Sequence, residues 1–150
     1  MSTLLIVHHT PSPATRELLE AVLAGARDPE ITGVDIVVRP ALAATVADMF
    51  DADGYIFGTP ANFGYMSGAL KHFFDTVYYP VLDYVANRPY GLWVHGNDDI
   101  AGAVSSVGRI AGGLSLVRSA DVVEVTGFVD GVVRQKAYDL GGTLAALLMK

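Results

Sequence analysis

Cysteine is absent from the 150 residues. Disulfides, thiolate nucleophiles and Cys-ligated zinc or iron–sulfur sites are thereby excluded, and any redox chemistry must be borne by an organic cofactor. Charge is scarce as well: 17% of residues are Asp, Glu, Lys or Arg, with 16 acidic against 10 basic side chains. No run of Lys and Arg exists to neutralise a phosphate backbone, so nucleic acid is not expected as a partner. No apolar run approaches the roughly 20 residues that span a bilayer. The N-terminus, Met1-Ser2-Thr3 ahead of four apolar residues, lacks the basic start and the length of a secretion signal. The cytoplasm is the expected compartment. Two nucleotide and hydrolase signatures are also missing. There is no G-x-x-x-x-G-K-[ST], and Gly64-Tyr65-Met66-Ser67-Gly68 has one residue too many between the first Gly and Ser for G-x-S-x-G.

Apolar residues, by contrast, make up 51% of the chain, enough for a sizeable core. Leu4-Leu5-Ile6-Val7, Tyr55-Ile56-Phe57 and Leu92-Trp93-Val94 are short continuous apolar runs, as in strands buried on both faces. Val34-Asp35-Ile36-Val37-Val38 and Val122-Val123-Glu124-Val125 each carry an acid and read as edge strands. Between them lie helical stripes: Leu18, Leu19, Val22, Leu23 and Ala26; Leu42, Val46, Met49 and Phe50; Leu70, Phe73, Phe74 and Val77; Val104, Val107, Ala111 and Leu114; and Leu140, Leu144, Leu147 and Leu148. Alternation of strand and helix predicts an α/β fold, a three-layer, doubly wound, five-stranded parallel sheet. The acid-bearing second and fifth strands belong at the edges, which gives the order 2-1-3-4-5. No repeat or linker divides the chain, so residues 1–150 are expected to form one domain. The stretch Tyr78 to Pro89 reads as its longest connection, a functional loop.

Ligands of such sheets bind beyond the carboxyl ends of the strands, at the point where the winding reverses. Three loops meet there. The first, His8-His9-Thr10-Pro11-Ser12-Pro13-Ala14-Thr15, supplies three hydroxyls and opens a helix whose N-terminal N–H groups attract anions. It reads as a phosphate seat without Lys or Arg; the plainer reading is Thr15 as an N-cap, with Pro11 and Pro13 stiffening a turn. The second, Gly58 to Gly68, is long and Gly-punctuated, and its backbone can approach a flat ligand. Alternatively its Phe63 packs on the core, and Ser67 caps the next helix. The third, His95-Gly96-Asn97-Asp98-Asp99, offers a His and an Asn to a heteroaromatic ring, or is an ordinary turn with Asp98 or Asp99 as a cap. A phosphoacceptor receiver domain is excluded: it needs acids after the first strand and an Asp ending the third, where His8-His9 and Gly58-Thr59-Pro60 stand.

Together these segments resemble the flavodoxin-like family, in particular its FMN-dependent NAD(P)H oxidoreductase and quinone-reductase branch. Gly58-Thr59-Pro60-Ala61-Asn62-Phe63-Gly64-Tyr65-Met66-Ser67-Gly68-Ala69-Leu70-Lys71-His72-Phe73-Phe74-Asp75 is similar to its G-[ST]-P-x-x-F/Y-G-x-x-S-G-x-[LM]-K-x-F-x-D stretch, and residues 10–15 to its S/T-x-S/T-x-x-T loop. The resemblance implies FMN as cofactor. Thr10, Ser12, Pro13, Ala14 and Thr15 would hold the phosphate, Pro60, Ala61, Asn62, Phe63 and Gly64 would line the isoalloxazine, and His95, Gly96 and Asn97 would flank its other edge. Pro13 departs from the family pattern, since it cannot donate a backbone hydrogen bond.

The implied activity is electron transfer from NAD(P)H through FMN to a quinone or other small acceptor; the alternative is a flavodoxin-type carrier without NAD(P)H activity. The flavin carries the chemistry, so no side chain is given a catalytic role and no metal is expected. Tyr65, Tyr78, Tyr79 and Tyr84 are candidates to wall the ring, or, for Tyr84 above all, to form a homodimer contact.

Overall fold

A computed structural model describes all of residues 1–150. The first strand, β1 (Ser2–His8), shows why the strongest apolar run belongs at the centre: Leu4 and Ile6 face one side of the sheet, Leu5 and Val7 the other, and all four are fully buried. Strand β2 (Val34–Pro40) pairs on one side of it, β3 (Gly54–Asn62) on the other, and β5 (Pro89–Gly96) follows β3, all parallel. Helices α1 (Pro13–Ala26) and α5 (Gly131–Leu147) cover one face; α2 (Val46–Asp51), α3 (Gly68–Val81) and α4 (Ile100–Gly113) cover the other. No helix is long and apolar enough to cross a membrane.

The α/β class and the parallel sheet hold; the count of five strands does not. The sheet has seven, with the path β2-β1-β3-β5-β6. One addition is β4 (Tyr65–Met66), which folds back antiparallel on the end of β3. The other comes from a break in the last strand. Short β6 (Val117–Arg118) pairs with the start of β5 and β7 (Val123–Thr126) with its end. Ser119 interrupts the ladder, its N–H donating to the Tyr90 carbonyl and its hydroxyl to that of Val117.

Two further expectations are corrected. Leu42 is exposed and outside α2, because Pro40 accepts the N–H groups of Ala43 and Ala44 in a closed turn and Thr45 caps the helix that follows. Tyr78 and Tyr79 lie within α3, which runs on to Val81, so the connection to β5 is shorter than expected. That connection lies at the amino end of the sheet, where Tyr84 packs edge-on against Phe50 and Arg88 Nη1 donates to the carbonyls of Met49, Phe50 and Ala52. Tyr78, Tyr79 and Tyr84 therefore cannot wall a ligand at the carboxyl ends.

Candidate functional site

Strand register assembles the site. His8 pairs with Pro40 on one side and Gly58 on the other, Pro60 pairs with His95, and Gly96 with Thr126. The three loops read from the sequence as ligand-binding thus leave the carboxyl end of the sheet together, whereas the connection before β5 lies at the other end.

In the first loop, His9 N–H donates to the Gly58 carbonyl at 2.9 Å, fastening it to β3. The N-cap of α1 is Ser12 rather than Thr15. Ser12 Oγ accepts from Thr15 N–H at 3.2 Å, while Thr15 Oγ1 accepts from Ser12 N–H at 3.1 Å, a reciprocal capping box with Pro13 at the first helical position. Thr15 is buried, and its hydroxyl also lies 2.9 Å from that of Ser12. Much of the hydroxyl set read as a phosphate seat therefore also shapes the turn. Arg16 N–H goes to the Ser12 carbonyl and Pro13 has no N–H, which leaves Ala14 as the outward-facing donor of the first turn.

Half-buried His8 contacts Thr10 Oγ1 through Nδ1 at 3.0 Å. Its pKa lies below the ordinary value of 6.5, first through burial and second through the neighbouring His9 charge. The fold therefore favours the neutral ring, and the unfolded chain takes up this proton first. Stability is full above pH 6.5 and falls as pH drops through the lower folded-state pKa. His8→Asn is expected to flatten that decline. Urea midpoints taken across about pH 5 to 8, the range in which histidine titrates, check this; parallel curves for the two proteins would refute it.

The second loop is not irregular. Strand β3 extends to Asn62, and Ala61 and Asn62 pair with Met66 and Tyr65. Only Phe63 and Gly64 remain in the turn, with φ of 51° and 72°. Positive φ at both positions is the signature of a two-residue hairpin whose twist matches its strands. Gly64 adopts it freely, whereas a Phe there is uncommon. The ring gains nothing from the core: it is fully exposed, so the core-packing alternative for Phe63 fails. The hairpin is held beneath by buried polar groups. Thr59 Oγ1 accepts from Ser67 N–H at 3.0 Å, and Ser106 Oγ of α4 accepts from Met66 N–H at 3.1 Å. Ser67 caps α3, as its plainer reading had it.

In the third loop Asp99 caps α4 from a left-handed conformation, accepting from Gly102 N–H at 3.2 Å. His95 Nε2 donates to the Gly127 carbonyl at 2.7 Å and so turns toward the loop after β7. There Phe128 is 95% exposed, a second bare aromatic at this end of the sheet. Sequence reading missed it, since it lies outside any periodic pattern; Gly127, with φ of 75°, was the available signal.

A cavity of about 430 Å³ brings Ala61, Phe63 and Gly64 together with Asn97, Asp98 and Asp99. A neighbouring one of about 300 Å³ is lined by His8, His9 and Thr10 beside Pro40 and Ala69. Ser12, Pro13, Ala14 and Thr15 line neither; Pro60, Asn62, His95 and Gly96 form the strand ends around them. Gly96 is required there, because a Cβ would sit 2.9 Å from the Ala61 Cβ. A larger hollow of about 690 Å³ lies between Ala120–Val123 and α5, away from the carboxyl ends, and contains no residue of the three loops. Topology rather than volume selects the site.

The profile of the NADPH-dependent FMN reductase family matches residues 13–134. The chain belongs to that family. Among its curated relatives, a flavodoxin of Aquifex aeolicus is 33% identical over 113 residues, 75% of this chain and 54% of the relative. An NAD(P)H dehydrogenase (quinone) of Acidithiobacillus ferrooxidans is 32% identical over 127 residues, 71% of this chain and 56% of the relative. This reductase-family chain thus spans little more than half the length of those two proteins. Solved structures share its fold. A WrbA-like flavodoxin from Agrobacterium tumefaciens superposes with a TM-score of 0.80 at 19% identity, covering 99% of this chain and 98% of the other. The flavodoxin of Streptococcus pneumoniae TIGR4 gives 0.80 at 20% identity, covering 97% and 99%.

Proposed function

We propose that residues 1–150 form one FMN-binding unit that passes electrons from NAD(P)H to a quinone or other small acceptor. The observation that carries this reading is the braced hairpin that holds a fully exposed Phe63 over a cavity shared with Asn97. An aromatic held bare on a rigid turn, against its own backbone preference, fits a flat ring as partner. The residues present fit the flavin. A cavity of about 430 Å³ is of ligand size, and the first loop offers Ala14 N–H and Thr10 to a phosphate.

Phe63, Ala61 and Gly64 would line one side of the isoalloxazine, and Gly96 and Asn97 the other edge. When bound, FMN supplies the two-electron chemistry that this chain's side chains lack. The protein's part is to orient the ring, keep one side open and set the local charge. Asp98 and Asp99 at the rim oppose negative charge on the ring. A homodimer formed through the exposed Tyr79 and Tyr84 at the opposite end would leave the crevice open.

The visible spectrum of protein loaded with FMN, followed anaerobically on addition of NADH or NADPH, tests the proposal. The yellow band is expected to bleach with one of them and return with a quinone. Failure to retain FMN would overturn it. A flavin reduced by dithionite but by neither nucleotide would favour the second reading, an electron carrier, which the Aquifex flavodoxin relative supports.

A further inference from the structure

Helix α4 turns one side to the Phe63–Gly64 hairpin. Asp99, Gly102 and Ser106 are spaced three and four apart and so lie along that side. All three meet the hairpin. A Cβ on Gly64 would overlap Asp99 Oδ2, and one on Gly102 would overlap the Gly64 carbonyl oxygen. One turn further, Ser106 Oγ accepts from the Met66 N–H at 3.1 Å. Of the three, only Ser106 is hydrogen-bonded to the hairpin. Asp99 also lines the 430 Å³ cavity with Asn97 and Asp98, together with Phe63 and Gly64. Both sides of that cavity are thus mounted on α4.

The Ser106 hydroxyl is aimed. It donates to the Ala103 carbonyl at 2.8 Å, which directs its lone pairs toward β4. Ser106 and Met66 are both buried. Without this acceptor the Met66 N–H would be buried and unpaired, a costly state that a two-residue strand relieves by lifting away from α4. The tip at Phe63 and Gly64 would move with it.

We infer that Ser106 is a positioning residue for the flavin: buried beneath the hairpin, it sets the height of the ring wall against the third loop. The inference rests on FMN binding as proposed above and deepens that reading.

Fluorescence titrations with FMN and with riboflavin, which lacks the phosphate, test it without any turnover when run beside thermal melts. Ser106→Ala is expected to weaken both flavins about tenfold, because they share the ring. It should also change the visible circular dichroism of the flavin at saturation. Leu148→Ala, which opens a cavity at the start of β3 beside Gly54, is the control. Its thermal midpoint should fall at least as far, with both affinities held within about twofold because the two sites are remote. Ser106→Cys fills the same space with a weaker acceptor; its expected loss is about threefold, and it carries the test if the alanine variant does not fold. Unchanged affinity in the alanine variant, or in the cysteine variant where that one alone folds, would overturn the inference. So would a loss confined to FMN, which would trace the effect to the phosphate, or an equal loss in Leu148→Ala, which would trace it to stability alone. If the unaltered protein binds neither flavin, the functional reading itself fails, and this one with it.

Discussion

Gly141→Ala is expected to lower the thermal midpoint by about 10 °C, whereas Gly142→Ala, one residue along the same helix, will leave it nearly unchanged or raise it. Helices α1 and α5 cross where Gly25 lies against the Tyr138 backbone and Gly141 against that of Val22. A Cβ on Gly141 would lie on the Val22 carbonyl oxygen, far inside van der Waals contact, and 2.9 Å from Ala26 N. Neither atom belongs to a flexible side chain, so the helices must separate. Separation would open the core between Val22, Ala26, Ala137, Leu144 and Ala145, all buried. Overpacking of this kind costs about 3 kcal/mol, which in a chain of this size corresponds to roughly 10 °C. At Gly142 the nearest atom to an added Cβ is the Gly25 carbonyl oxygen at 3.5 Å, an ordinary contact. There the better helix propensity of alanine, up to about 1 kcal/mol, acts unopposed. Differential scanning calorimetry of the two variants checks the contrast; equal midpoints would show that the crossing is looser than described.

The same crossing marks a limit of sequence reading. The stripes of α1 and α5 were legible from their spacing, except for Leu147, which is exposed, and so was the central place of β1, because residues buried on both faces of a sheet leave a continuous apolar run. Which glycine touches another helix was not, since Gly141 and Gly142 are identical neighbours and only the crossing distinguishes them. The break between β6 and β7 was hidden for a related reason: two-residue strands carry no period. Tyr78 and Tyr79 looked like loop residues because Pro80 follows them, yet Pro80 falls within the last turns of α3, and the helix continues through it to Val81.

At the candidate site, topology and motif were legible and conformation was not. The three loops do leave one edge of the sheet. Ser12 and Thr15, spaced three apart, can cap in either direction, and only the backbone at Ser12 decides between them. Phe63 and Gly64 carried a hairpin signal, a Gly at the second turn position, but pairing of Asn62 with Tyr65 was needed to reveal it. His95 read as a ring contact because its carbonyl partner, Gly127, is 32 residues away in the chain.

The hairpin's exposure to its support yields the sharpest functional expectation. Gly102, in the first turn of α4, lies against the Gly64 backbone. A Cβ there would overlap the Gly64 carbonyl oxygen and stand 3.0 Å from Asp99 Oδ2. Gly102→Ala must therefore push the Phe63–Gly64 tip outward or displace the start of α4, and Met66, bonded to Ser106 farther along that helix, resists the second. The tip is the part that can yield, so the proposed ring wall moves while the core stays intact. FMN affinity is expected to fall at least about tenfold, a loss of about 1.4 kcal/mol, with a much smaller change in thermal midpoint, because alanine's helix propensity offsets part of the strain. Gly108→Ala, in the same helix with open space around it, is the control and should gain stability without altering affinity. Flavin fluorescence titrations alongside melting curves separate the two effects. A Gly102→Ala protein that binds FMN as tightly as the unaltered chain would mean that the hairpin tip does not form the flavin wall, and the reading built on Phe63 would fall.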